Sequence, residues 1–183
     1  KYFNKIAFKY FNCTPIALSN ELKTKVDEFY GITTTIVINN AIDFKKFSNV
    51  TKNKEEIKQS LNLPIDSFII GHVGRFVEQK NHKFIINVFN EFSKIKENTY
   101  LILVGEGKLK KEIEDMAYSL NLSNRIKFLG VRNDIPELLK IMDVFLFPSM
   151  LEGFPLALIE AQAAGVRCVI SNKIDDNTIL SKN

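Results

Sequence analysis

Two carboxylates, Glu152 and Glu160, bracket a Gly153-Phe154-Pro155 turn and the apolar run that follows it. Pro155 suits the first position of a helix, where its missing N–H costs nothing and its fixed φ already fits. Glu152 then lies in the loop just before a helix N-terminus, and Glu160 lies on the helix itself. Leu156, Ala157, Leu158, Ile159, Ala161, Ala163 and Ala164 make that helix apolar nearly all round, which predicts burial. A buried carboxylate needs a partner, because an unpaired buried charge is too costly to persist. A pair of ligand hydroxyls, such as a ribose 2′- and 3′-OH, would satisfy both Glu160 oxygens. A Glu bonded to neighbouring backbone or facing a wet crevice is the alternative, and the helix alone leaves both open.

The elements that must position these carboxylates alternate. Apolar, β-branched runs predict strands over 16–18, 35–38, 68–73, 100–104, 125–129, 144–147 and 167–170. Helical periodicity fills the intervals: a helix capped at Ser19, then 54–61, 81–96 (with Phe84, Ile85, Val88, Phe89 and Phe92 inward), 108–120, 135–142 and 155–164. Strands alternating with helices of this length predict right-handed crossovers, hence an α/β fold with a parallel sheet and helices on both faces. The polar, Lys- and Asn-rich segment from Asn39 to about Asp66 reads as an interdomain linker and entry segment.

Ligands in such sheets bind at the strands' carboxyl ends. There the chain places Gly74-Arg75 and Gln79-Lys80, Gly105-Glu106-Gly107, Gly130-Val131-Arg132, and Pro148-Ser149 leading to Glu152. Gly74 lets backbone approach an anion closely, and the next helix points its first N–H groups at the same place. Arg75 can grip phosphate oxygens bidentately, while Lys80 supplies a point charge. Gly105-x-Gly107 lacks the third glycine of a dinucleotide fingerprint and reads as a tight strand-to-helix turn. His72, inside a strand, reads as a satisfied core histidine, and His82, at a helix start, as an exposed one. No His, Cys or carboxylate cluster has metal-ligand spacing, so the expectation is no metal and no cofactor, with Arg75 and Lys80 neutralising any phosphate leaving group.

The 183 residues carry a formal net charge of +4, with 45% hydrophobic and 25% charged residues. That mixture suits a globular chain, and the charge suits an anionic small molecule or a membrane surface rather than nucleic acid. Cys13 and Cys168, each in an apolar stretch, read as buried reduced thiols of a cytoplasmic protein. No apolar run reaches membrane-spanning length. Lys1, Lys5 and Lys9 share one helical face among aromatics, a pattern that suits an anionic membrane surface; packing of those aromatics on another part of a longer protein is the preferred reading. A first residue other than Met, and an end without a terminating element, read as a piece of a longer protein.

Glu152-x7-Glu160 with Glu-Gly-Phe-Pro inside it resembles the signature of retaining glycosyltransferases of the GT-B fold, family 4. Asn39-Asn40-Ala41-Ile42-Asp43 resembles the family's domain junction, with Ala41 where glycine is usual. Val73-Gly74-Arg75 with Lys80-Asn81 resembles its phosphate-binding loop. Leu103 to Gly107, Phe128-Leu129-Gly130 and Asp143 to Ser149 keep the family's order and spacing. Glu160-Ala161-Gln162-Ala163-Ala164-Gly165 looks like the bacterial exopolysaccharide and capsule enzymes. The resemblance implies the C-terminal, Rossmann-like half of a two-domain fold, with residues 1–39 the tail of an acceptor-binding domain and 40–183 a nucleotide-sugar-binding domain truncated at its end. It implies that Arg75 and Lys80 hold the donor diphosphate, Glu160 the ribose, and Glu152 the donor sugar. Backbone from Gly153 through Phe154 and Pro155 to Leu156 would meet sugar and phosphate, that of Val131 the base, and Gly74 would line the site. The implied reaction is metal-independent hexosyl transfer from a nucleotide sugar, a UDP-sugar first, to a saccharide or lipid-linked acceptor near a membrane's inner face. A non-catalytic nucleotide-binding partner subunit and a GT-B sugar-nucleotide epimerase are the alternatives; retention of Glu152, Glu160, Arg75 and Lys80 argues against a decayed site. The fragment alone is expected to be incomplete for catalysis.

Overall fold

The computed structural model describes residues 2–11, 13–38 and 41–174, apart from the side chain of Tyr2. Lys1 of the basic face and Asn39 and Asn40 of the junction lie outside the described residues. The chain divides into two compact units, 1–42 and 43–183.

The first unit runs α1 (Tyr2–Tyr10), β1 (Ile16–Ala17), α2 (Asn20–Tyr30) and β2 (Ile36–Val37), with β1 and β2 paired in parallel. Ser19 starts α2 by accepting a hydrogen bond from the Leu22 N–H at 3.2 Å, as its position before the helix predicts. Gly31 ends it in the left-handed region. Helix α2 buries no residue, and Phe3, Tyr10 and Phe11 around α1 are exposed. Cys13 lies in the loop before β1 and is exposed, so the expected buried thiol is not there. Cys168, on the last strand, is half-buried, and burial pushes its thiol up to about 11.

The second unit holds α3 (Phe44–Ser48), α4 (Lys54–Ser60), β3 (Phe68–Val73), α5 (His82–Ile95), β4 (Thr99–Val104), α6 (Lys110–Ser119), β5 (Ile126–Phe128), α7 (Ile135–Ile141), β6 (Val144–Phe147), α8 (Leu156–Ala163) and β7 (Arg167–Ile170). Its five strands are all parallel, in the order β5-β4-β3-β6-β7. Alternation along each strand feeds two cores. Ile69, Ile102, Phe145 and Phe147 face Leu138 and Leu139 of α7 and Leu158 and Ala161 of α8. Ile70, Leu101, Leu103 and Leu146 face Ile85, Ile86 and Phe89 of α5 and Ile113 and Ala117 of α6. Each such side chain, once buried, contributes about 1.5–3 kcal/mol.

Three expectations change here. The 39–66 segment is no bare linker: from residue 43 it belongs to the second unit, and Ile57 and Leu63 enter the first of these cores. Phe84, expected inward on α5, is 49% exposed, and Ile86 takes the buried place. Pro155 precedes α8 instead of opening it; its carbonyl accepts from the N–H groups of Leu158 and Ile159, and the helix starts at Leu156.

Asp143 fixes where β6 meets β3. Its Oδ2 accepts from the Ile69 N–H at 2.7 Å, and its own N–H donates to the Ile69 carbonyl at 2.9 Å. Chain direction explains why this matters: after β3 the sheet grows outward through β4 and β5, and the chain then returns past β3 to lay down β6 and β7. The order therefore reverses between β3 and β6, and in open parallel sheets the carboxyl ends of the strands at such a reversal are where ligands bind.

Candidate functional site

The loops after β3 and β6 meet at that reversal. After β3 come Gly74 and Arg75, then a tight turn over Glu78–Lys80 and a left-handed Asn81 that starts α5. After β6 come Pro148, Ser149 and the run to Glu152. Three contacts join the two loops. The Met150 N–H donates to the Gln79 carbonyl at 2.9 Å, the Gln79 side-chain amide donates to the Leu151 carbonyl, and Lys80 Nζ stands 2.7 Å from Glu152 Oε1. The Lys80 and Glu152 side chains are 15% and 9% exposed. On its other side the Lys80 ammonium sits 4.7 Å from the centroid of the Phe147 ring, a cation–π contact. The two residues expected to serve phosphate and sugar separately are therefore partners of each other.

Beside them the site is open. Arg75 is exposed, and its guanidinium has no hydrogen-bond or ion-pair partner among the described residues. Glu160 lies on α8, half-buried, also without a side-chain partner among the described residues. Burial raises its carboxyl above the usual carboxylate range. The backbone-bonded alternative for Glu160 is therefore not what the described residues show, and the wet-crevice and ligand-hydroxyl readings both stand. Gly153 and Leu156 are exposed, Phe154 is half-buried and Pro155 is buried under the turn. Val131 is 75% exposed at the same sheet edge, just after a left-handed Gly130.

The glycine loops on the far side of β3 do structural work. Gly74 N–H donates to the Val104 carbonyl, Gly105 N–H to the Gly130 carbonyl, and Phe76 N–H to the Glu106 carbonyl, all at 2.8–3.0 Å. A Cβ on Gly105 would stand 2.2 Å from the Gly74 oxygen, and one on Gly107 would stand 2.5 Å from the Phe76 oxygen. The tight-turn reading of Gly105-x-Gly107 was thus right in kind, and its cause is the close approach of two loops.

Beneath Lys80 the two histidines form a buried pair, ring centroids 4.9 Å apart. His82, expected exposed, is 2% exposed, because the left-handed Asn81 folds its ring onto that of Phe76 at 4.1 Å. His72 Nδ1 lies 2.9 Å from the Leu146 carbonyl, which can only accept, so Nδ1 carries the proton. Its Nε2 and both His82 ring nitrogens have no hydrogen-bond partner among the described residues. The core-histidine reading of His72 therefore holds for half of the ring. Desolvation, helped by the neighbouring His82 and Lys80, lowers His72 to about 3; desolvation and Lys80 lower His82 to about 4. Both rings are neutral at pH 7, which keeps further positive charge away from Lys80.

Among the described residues no three His, Cys, Asp or Glu side chains gather to hold a metal ion, and no helix is long and apolar enough to cross a membrane. Phe147 and the contact between the two histidines are the parts of this site that residue types alone did not single out. Phe147 looks like any apolar strand residue until the register places it under Lys80.

The profile of the family described as Glycosyl transferases group 1 matches residues 53–177. The chain belongs to that family. Among relatives, it is 41% identical over 155 residues to the UDP-Gal:alpha-D-GlcNAc-diphosphoundecaprenol alpha-1,3-galactosyltransferase of Escherichia coli, covering 80% of this chain and 38% of that protein. It is 37% identical over 139 residues to the capsular polysaccharide biosynthesis glycosyltransferase CapH of Staphylococcus aureus, covering 73% of this chain and 36% of that protein. The solved structure of Anabaena HepE in complex with UDP and glucose superposes with a TM-score of 0.74 at 27% identity, over 86% of this chain and 44% of that one. The chain thus spans less than two fifths of these curated relatives. Its parallel sheet flanked by helices is that of a C-terminal-like half of the GT-B glycosyltransferases.

Proposed function

We propose that this chain is the donor-binding half of a retaining, metal-independent glycosyltransferase of family 4 that moves a hexose from a UDP-sugar to a saccharide or lipid-linked acceptor. Residues 1–39 form the tail of the acceptor-binding domain and 40–183 the donor domain. The observation that carries the reading is the Lys80–Glu152 pair at the sheet's reversal point, with Arg75 in the same loop as Lys80 and, on the adjoining helix, a half-buried Glu160 that has no side-chain partner among the described residues. Arg75 and Lys80 hold the diphosphate and take up the charge that builds on the β-phosphate as it leaves, where fixed cations lower the barrier most. Gly74 lets the diphosphate close on the backbone. Glu160 accepts from the ribose hydroxyls, and the backbone of Val131 meets the base. Glu152 grips the sugar hydroxyls where positive charge grows at the anomeric carbon, with the Gly153–Leu156 backbone beside it. The names of its relatives support the donor and acceptor classes: one uses UDP-galactose on a lipid diphosphate-linked saccharide, another serves capsule synthesis. An acceptor of that kind would place the protein at the cytoplasmic face of a membrane.

The test is sugar transfer by the full-length protein from a panel of UDP-hexoses, with EDTA present throughout and the anomeric configuration read by NMR. Transfer with retained configuration in EDTA is expected. Inverted product, or activity restored only by manganese, would sink the retaining or the metal-free part respectively.

A further inference from the structure

The Lys80–Glu152 pair does more than record that the two residues are neighbours. The ammonium expected to receive a phosphate has a carboxylate counterion at 2.7 Å, and both side chains are largely withdrawn from water. We infer that Glu152 is an internal competitor for Lys80, a stand-in anion that a nucleoside diphosphate must displace before the donor seats. This rests on the donor-binding reading above and concerns how that same site is controlled.

Three features make displacement workable. First, the remaining flank of Lys80 is a ring face, Phe147 at 4.7 Å, which holds a cation without directional bonds and lets it pivot. Second, the loop bearing Glu152 does not depend on Lys80 for its place: Gln79 holds it through the Met150 N–H and the Leu151 carbonyl. When Lys80 turns to phosphate, Glu152 stays where a donor sugar would meet it. Third, the carboxylate that loses its cation gains hydroxyl donors only when a sugar is attached to the diphosphate. The full donor therefore repays the broken pair, whereas a nucleoside diphosphate without sugar does not. The ion pair raises selectivity for loaded donor over spent product, because the product must carry the whole loss.

The consequence has an unusual sign. Neutralising Glu152 should tighten the binding of bare UDP while weakening transfer. Calorimetric titration of UDP into the full-length protein should show Glu152→Gln binding about fivefold more tightly than wild type, the size of a modest ion pair, and Lys80→Ala binding far more weakly. In the Lys80→Ala background, Glu152→Gln should change nothing, a result that mere loosening of the loop would not give. Matching thermal midpoints for the Gln variant and wild type establish that it folds; a lowered midpoint moves the comparison to Glu152→Met, of similar length and uncharged, with the same expected gain. Wild type that binds UDP and loses it on Lys80→Ala, with Glu152→Gln binding equally or less tightly, overturns the competitor role and leaves the donor site standing. Wild type that fails to bind UDP overturns both.

Discussion

The two halves of the ligand edge are built differently. On the β4–β5 side, the Gly74, Gly105–Gly107 and Gly130 loops are joined backbone to backbone, and a Cβ on Gly105 or Gly107 would collide with backbone. On the β6 side, the Gln79–Lys80 turn meets the 150–152 loop largely through side chains, one amide and one ion pair. Backbone lacing leaves no group free to respond to a ligand and fixes geometry. Side-chain lacing can exchange partners without unfolding anything. The first half is a frame, and the second is where a donor can be felt.

Substitutions should expose that contrast, the frame failing in stability and the responsive half in kinetics. The largest effect is expected at Gly105→Ala. Its φ of 134° suits glycine, and the added methyl would collide with the Gly74 carbonyl at 2.2 Å. A loss of about 3 kcal/mol is expected, read by urea unfolding; a change under a tenth of that would show that the frame is soft.

Arg75→Ala and Lys80→Ala come next and should weaken transfer far more than they weaken folding, Lys80→Ala costing some stability because it leaves Glu152 without its counterion. On the proposed donor-binding reading, each would remove a charge-assisted phosphate contact worth about 1.5–3 kcal/mol, a fall of roughly ten- to hundredfold in kcat/KM. Wild-type kinetics in either variant would remove it from the phosphate site.

The histidines beneath Lys80 belong to the frame in this respect. The unfolded chain takes up their protons from about pH 6.5, the ordinary histidine value, downward, the folded chain only near 4 for His82 and 3 for His72. Stability is thus complete above pH 6.5 and drains as pH falls towards 4, at about 1.4 kcal/mol per pH unit for each proton. His82→Phe should flatten that slope in unfolding midpoints measured from pH 7 to pH 4.5; an unchanged slope would return the effect to the carboxylates.

The two glutamates should give the smallest and most diagnostic differences. Glu160 is assigned to the ribose, which does not change during reaction, so Glu160→Gln should mainly raise KM, and by less than Glu160→Ala. Glu152→Gln should lower kcat more than it raises KM for donor, because its charge counts most in the transition state. A silent Glu152→Gln would make it an ordinary turn residue.

Much of this frame is legible in the residues. Continuous apolar strands such as 68–73 and 144–147 declare a sheet covered on both faces, and polar clusters after each strand mark the ligand edge. What resists reading depends on tertiary placement. Lys80 and Glu152 are far apart in the chain, and only the insertion of β6 beside β3 brings them together. His82 looks solvent-facing until a left-handed Asn81 turns it inward. Helix α3 is short, and its apolar Phe44 and Phe47 are too few for a periodicity to register. Cys13 sits among apolar neighbours in sequence but in a loop in space.

The Asp143–Ile69 clasp carries a consequence for how the protein comes to be. It closes a loop spanning β3, β4 and β5 with their helices, a separation of 74 residues. Contacts that distant are made late, since the entropy of closing the loop must be met before the pairing returns anything. Strands β3 to β5 with α5 and α6 can pair locally first and already own Lys80 and Arg75. They do not yet own Glu152 or the shelf of Phe147. Until β6 docks, Lys80 lacks this counterion, because Glu152 follows β6 in the chain. The counterion of Lys80 is thus a mark that β6 has docked: a chain that holds it has brought β6 beside β3.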